Sequence, residues 1–166
     1  MKIPLQPEEF VLNSLHVDWA PPSLGKAASP KSTRMLFDYS MGTHIADPLR
    51  HRMTFKAEFL EMAEDELPQG YRIQAEIVGF FQIDPELPEE RRQAQVRING
   101  VSQLYSTLRG LIAATTGSFP GGKFVIPSIL PQDVVRQIEE KRSQSSLKRS
   151  ARAKTSPPAS SNPDRE

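Results

Sequence analysis

Three histidines, His16, His44 and His51, are the only imidazoles in the chain, so metal binding or general-base chemistry would have to start from them. None stands in the HxxxH spacing that sets two imidazoles on one helix face, and there is no cysteine to complete a thiolate zinc site, form a disulfide or act as a nucleophile. Serine, histidine and aspartate all occur, but no GxSxG elbow, HExxH, GxxxxGK[ST] or GxGxxG surrounds them. The carboxylates gather in turns such as Glu64 to Glu66, where solvated charge is the ordinary explanation. No catalytic residue, metal or cofactor is therefore expected. The chemistry left open is non-covalent: apolar and aromatic side chains in places where a folded chain of this size would scarcely hide them.

Two stretches carry that surplus. From Tyr71 to Ile83, Tyr71, Ile73, Ala75, Ile77, Gly79, Phe81 and Ile83 share one face of a strand, while Arg72, Gln74 and Glu76 begin the other as polar. Val78 and Phe80 then turn that second face apolar, so the end of the strand needs cover on both sides. The second stretch, SFPGGKFVIPSILP from Ser118 to Pro131, has three Pro and two Gly among Phe119, Phe124, Val125, Ile126, Ile129 and Leu130. It cannot form a regular element, yet it is too apolar for water, and is expected to lie across a helix or a sheet edge.

Positioning elements can be read around these stretches. Phe10 to Trp19 alternates with one change of phase near Asn13 and Ser14, a strand with a bulge. Ala20 to Ser32, with Pro21, Pro22, Gly25 and Pro30, is a connection. Met35, Phe37, Tyr39 and Met41 mark a second strand, and Met53, Phe55, Ala57 and Phe59 a third, joined to the Tyr71 to Ile83 strand through an acidic turn at Glu64 to Gly70. After Pro88, EERRQAQVRI suits a helix that Asn99 and Gly100 should interrupt. Val101, Leu104, Tyr105, Leu108, Leu111, Ile112 and Thr115 then continue at helical spacing up to Gly117. Gln132 to Arg142 reads as a short final helix with Val134, Val135 and Ile138 inward. The expected fold is α+β: a four-stranded antiparallel sheet with a long broken helix and a short C-terminal helix. The folded domain is placed at 1–142 and a disordered, basic, Ser/Pro-rich tail at 143–166.

Charge divides at the same place. Up to Glu140 there are 14 Lys+Arg against 18 Asp+Glu, net −4; from Lys141 onward there are 7 against 2, net +5. A mildly acidic body does not suit a nucleic-acid-binding face, which leaves only the tail for that role. There Lys148, Arg149, Arg152 and Lys154 come with no aromatic residue to stack on bases, and a linker or solubilising tail is the better reading. No run approaches the ~18 apolar residues of a membrane span, and MKIPLQPEEF lacks the core of a secretory signal, so a cytoplasmic protein is expected.

The order of elements becomes familiar at Asn99 to Pro127, NGVSQLYSTLRGLIAATTGSFPGGKFVIP, which resembles the signature of the SecB export chaperone and its SecB-like relatives. Leu104, Tyr105 and Arg109 match the family's Leu-Phe/Tyr-Pro-x-x-Arg segment, with Ser106 where Pro is usual. Ser118, Phe119, Pro120 and Phe124 to Pro127 match the Phe/Pro pair and extended apolar segment that follow, and Gly79, Phe80, Phe81 and Ile83 match the end of the family's last strand. Phe10 to Trp19 with Asp18 is similar to its first strand, and the likeness covers about residues 8–140.

The resemblance implies an ATP-independent holding chaperone that binds unfolded or precursor polypeptides through apolar grooves. It also implies a homotetramer, a dimer of dimers with the long helices between two sheets, and a role in protein export. The alternative within the family is a chaperone of an antitoxin in a toxin–antitoxin system. Members that deliver cargo to SecA carry an acidic sheet surface and a tail that contacts SecA; the basic tail here argues against docking by that route, though SecA stays among the implied partners. Expected groove residues are Phe80, Phe81, Trp19, Phe119, Phe124 and Ile126, each weighed against ordinary core, with Phe80 the stronger candidate of the adjacent pair. Val101, Leu104, Leu108 and Leu111 are expected at core or subunit interface, and Arg109 is assigned no function.

Overall fold

A computed structural model describes residues 4–21, 32–62 and 68–154, with side chains except at 68–69 and 146–154. Its strands β1 (Leu5–Ala20), β2 (Ser32–Thr43), β3 (Arg50–Met62) and β4 (Pro68–Ile83) form one antiparallel sheet in the order β1-β4-β3-β2. β1 and β2 are thus opposite edges, and most of the connection between them, like the acidic turn before β4, lies outside the described residues.

Residues directly opposite in an antiparallel sheet share a face. Rows such as Val17–Ile73–Phe59–Met35 and Leu12–Ile77–Phe55–Tyr39 therefore gather the apolar half of each alternation on one side. β1 keeps in step only because its register shifts between Leu12 and Ser14, where the sequence changes phase; a second shift falls between Pro7 and Glu9. The other face is built from rows such as Ser14–Glu76–Lys56–Asp38 and is largely polar.

Helix α1 (Glu89–Thr116) covers the apolar face over β4 and its two neighbours, and α2 (Pro131–Lys154) lies beside α1 over β2. The break expected at Asn99 and Gly100 does not occur, because α1 runs through both residues. Gly100 is buried against β3: a Cβ added there would meet Met53 Cε and Sδ at 3.0 Å. Glycine here allows close approach of helix to sheet, which outweighs its helix penalty of about 1 kcal/mol. Gly79 answers from β4, where a Cβ would come within 2.8 Å of Leu104 Cδ2 and 2.7 Å of Phe81 Cζ.

The final helix also extends past the expected Arg142, so 143–154, read from the sequence as disordered tail, is helical. Its first turns are anchored on the protomer. Val134, Val135 and Ile138 are buried, Glu139 accepts hydrogen bonds from Arg97 Nη1 (2.7 Å) and Tyr39 OH (3.0 Å), and Arg142 pairs with Asp38 at 2.5 Å while its guanidinium lies 4.9 Å from the Tyr39 ring centre. Burial and then the Glu139 carboxylate push the Tyr39 phenol up from its ordinary value.

Candidate functional site

α1 ends where Thr116 Oγ1 donates to Ile112 O (2.7 Å) and accepts from Phe124 N (2.8 Å), turning the chain back along the helix. The Pro-rich segment then docks on the protomer in the expected manner. Phe124 meets the rings of Phe59 and Tyr71 at 6.2 and 5.5 Å, Ile126 is fully buried, and Tyr105 OH donates to Pro127 O. Tyr71 OH donates to Gly122 O at 2.5 Å, and burial raises its phenol above the ordinary range. Because the segment is extended between Phe124 and Ile126, the side chain between them points away, leaving Val125 55% exposed, and Leu130 at the segment's end is 65% exposed.

The six expected groove residues separate into two groups. Phe81, Phe124 and Ile126 are core, so no client could reach them without opening the protomer. Phe81 in particular stands edge-on to Phe10 at 5.9 Å on the face that α1 covers. Trp19 and Phe119 are half-buried at a corner with Tyr71: the Phe119 ring lies 6.1 Å from it, and Gly121 packs against the Trp19 indole so closely that a Cβ would meet Cδ1 at 2.5 Å. Phe80 is half-buried on the opposite, largely polar face. Of the four residues expected at core or subunit interface, Val101, Leu104 and Leu108 pack fully inside the protomer, and only Leu111 is open to solvent, at 36%. Arg109 Nη1 donates to Ser128 Oγ at 3.2 Å, a contact that ties α1 to the docked segment.

Phe80 lies in a cavity of about 620 Å³ at one end of the outer sheet face, lined by Glu8 and Glu9 of β1, Gly42 and Thr43 of β2, His44 and Ile45 of the following turn, and Arg50, His51 and Arg52 of β3. Val78, one row further in, is buried on the same face between Val11 and Thr54. At the cavity's edge His51 is buried, with Nδ1 3.3 Å from Thr43 Oγ1 and, among the described residues, no hydrogen-bond partner for Nε2. Burial lowers its basicity below the ordinary value of 6.5, Arg92 adds to that, and the Pro48 carbonyl and Asp47 oppose it.

The sequence reading passed over a second apolar surface. Phe10, Val11 and Leu12 are 37%, 38% and 40% exposed on edge strand β1, whose far side pairs with no described strand. Phe10 and Leu12 face inward but stay partly exposed, whereas Val11 faces outward. The available signal was the run itself, since three consecutive apolar residues in a strand cannot all lie on one face.

No family model matches the chain, and no curated protein matches its sequence. Among solved structures, the SecB-like chaperone Rv1957 of Mycobacterium tuberculosis, in complex with a ChAD peptide from the Rv1956 HigA1 antitoxin, matches with a TM-score of 0.58 at 14% identity, over 75% of this chain and 90% of that one. A protein of unknown function from Streptococcus agalactiae matches with a TM-score of 0.45 at 14% identity, over 75% and 97%. The chain has the SecB-like fold, an α+β arrangement of four antiparallel strands and two helices, as the resemblance in its sequence implied. No helix among the described residues is long and apolar enough to cross a membrane.

Proposed function

We propose that this protein is an ATP-independent holding chaperone that binds unfolded polypeptide segments on apolar surface its own fold leaves uncovered. The observation that carries the reading is the Phe10–Val11–Leu12 run on an edge strand whose far side pairs with no described strand, with Phe80, Val125 and Leu130 exposing further apolar surface. Soluble monomers rarely leave such surface on a strand edge, where it invites pairing with another chain. The same surface serves subunit contact, and the assembly we propose is a homotetramer built as a dimer of dimers. The accessible groove residues are Phe80, Trp19 and Phe119, joined by Phe10 and Leu12; binding of this kind needs no catalytic group.

A more specialised reading, chaperone to an antitoxin, is favoured by one observation: the SecB-like neighbour was solved holding an antitoxin peptide. Export through SecA is less well supported. The outer sheet face here is not acidic but interleaved, with Lys56–Glu76 at 2.9 Å and Arg72–Glu58 at 3.9 Å. Aggregation of a chemically unfolded reporter on dilution, followed by light scattering with increasing amounts of the full chain, tests the proposal. Suppression near equimolar ratio without nucleotide is expected; unchanged aggregation at several-fold excess would overturn it.

A further inference from the structure

The geometry points to a specific client contact: we propose that the row Glu9, Phe80 and Arg52 binds an extended polypeptide segment whose apolar side chain lies between a basic and an acidic residue. This rests on the holding-chaperone reading and specifies one of its contact surfaces. Sheet register sets Glu9 opposite Phe80, Phe80 opposite Arg52, and Arg52 opposite Gly42, so an acid, an aromatic ring, a base and a gap follow one another across all four strands. Gly42 leaves open space, since a Cβ there would meet nothing within 4 Å, and Ile45 stands fully exposed at the rim. The floor is the half-buried Phe80, beside the buried Val78.

Charge complementarity decides what covers this row. The acids, Glu8 and Glu9, both come from β1 and the bases, Arg50 and Arg52, both from β3, so the cavity is balanced but polarised. Arg50 is engaged by Glu8 at 2.8 Å, whereas the side chains of Glu9 and Arg52 make no ion pair or hydrogen bond with a described residue. The Arg52 charge reaches as far as Glu76, whose carboxyl is held below its ordinary value first by hydrogen bonds from Asn13 and Lys56 and then by the Lys56 and Arg52 charges. A segment of one sign would gain at one end of the row and lose at the other, while a mixed segment gains at both. With strands about 4.8 Å apart, the two charges stem from backbones roughly 10 Å apart. An extended Lys-Ser-Phe-Ser-Asp places its three larger side chains on one face over roughly 13 Å, a mismatch that the length of the side chains absorbs.

The test uses labelled synthetic peptides containing Lys-Ser-Phe-Ser-Asp, Lys-Ser-Phe-Ser-Lys or Asp-Ser-Phe-Ser-Asp, titrated by fluorescence anisotropy against the full chain at low salt. The mixed peptide should bind about fivefold more tightly than either single-sign peptide, the scale of two favourable exposed charge contacts. Arg52→Glu should shift the preference to the double-Lys peptide and Glu9→Lys to the double-Asp peptide; both replaced side chains are solvent-exposed, so the fold should tolerate them. Phe80→Ala should weaken all three by about tenfold. An unchanged ranking in the two charge variants, or binding indifferent to Phe80→Ala, overturns the site. If the wild-type chain suppresses reporter aggregation while the peptides ignore these substitutions, only this site falls. If it suppresses nothing, the holding reading falls, and the peptide ranking still decides the site.

Discussion

Phe80 and Phe81 are neighbours in sequence and opposites in the sheet, and truncating each should give different results. Phe81 is fully buried between β4 and α1, against Phe10, with Gly79 shaped to its ring edge. Removing the ring should forfeit its transfer free energy and leave a cavity that glycines cannot fill, a loss of about 3–5 kcal/mol for Phe→Ala in a core. Phe80 is only partly exposed, on the outer face, and the space it vacates opens to solvent. At ~25 cal/mol per Å² over roughly 80–120 Å² of buried ring, Phe80→Ala should cost about 2–3 kcal/mol without a cavity contribution.

For a chain of this size each kcal/mol moves Tm by roughly 2–4 °C, so the variants should separate by several degrees, Phe81→Ala being the lower. Trp19 is the only tryptophan, sits half-buried against Gly121, and reports unfolding directly by fluorescence at matched protein concentration. The aspartates sharpen the contrast, because Phe81→Asp buries an unpaired charge and should abolish folding, while Phe80→Asp should fold and lose client capture. Equal destabilisation by the two alanines would show that Phe80 is core, and the outer-face site would be refuted with it.

Three further outcomes follow from the same coordinates. His51 is buried with its basicity lowered, so below pH 6.5 the unfolded chain takes up a proton that the folded chain resists. Stability measured by urea titration should therefore be full above that pH and fall as pH drops from 6.5 towards the depressed folded value, with His51→Gln removing this part of the slope. Thr116→Val strips the buried Phe124 N–H of its acceptor and should cost about 1–3 kcal/mol in the same titration, while a loss below a few tenths would show that the turn is held otherwise. Leu111→Asp should lower the solution mass by light scattering with little change in Tm, whereas Leu104→Ala should cost about 2–5 kcal/mol; an unaltered mass would remove Leu111 from the subunit contact.

The strands were legible because three of them alternate cleanly and the fourth betrays its bulge by a change of phase at Asn13 and Ser14. Gly100 was misread because glycine's low helix propensity is visible in sequence, whereas the Met53 side chain that presses on it from β3 is not. The end of α2 was misread for a related reason: beyond Arg142 apolar residues become too sparse to mark a helical stripe in the sequence, yet the helix continues to Lys154. Among the candidate groove residues, composition identified the aromatic side chains but not their direction. Phe124 and Ile126 became core because an extended segment sends alternate residues inward, which left Val125 between them outside.

That alternation bears on how the protein assembles. The α1 stripe at Val101, Leu104 and Leu108 is fully spent on the protomer's own sheet, so it cannot also face a partner subunit. In the proposed assembly, contacts between copies would use what α1 and the docked segment turn outward, namely Leu111, Val125 and Leu130, together with the β1 edge at Phe10 to Leu12, which pairs with no described strand. Phe80 and its flanking charges belong to the other side of the sheet, opposite α1. If copies join through the helix side, assembly and capture at Phe80 draw on separate surfaces. Substitutions at Leu111 and at Phe80 should consequently act independently, and a variant of one that abolished both would show that the surfaces are coupled.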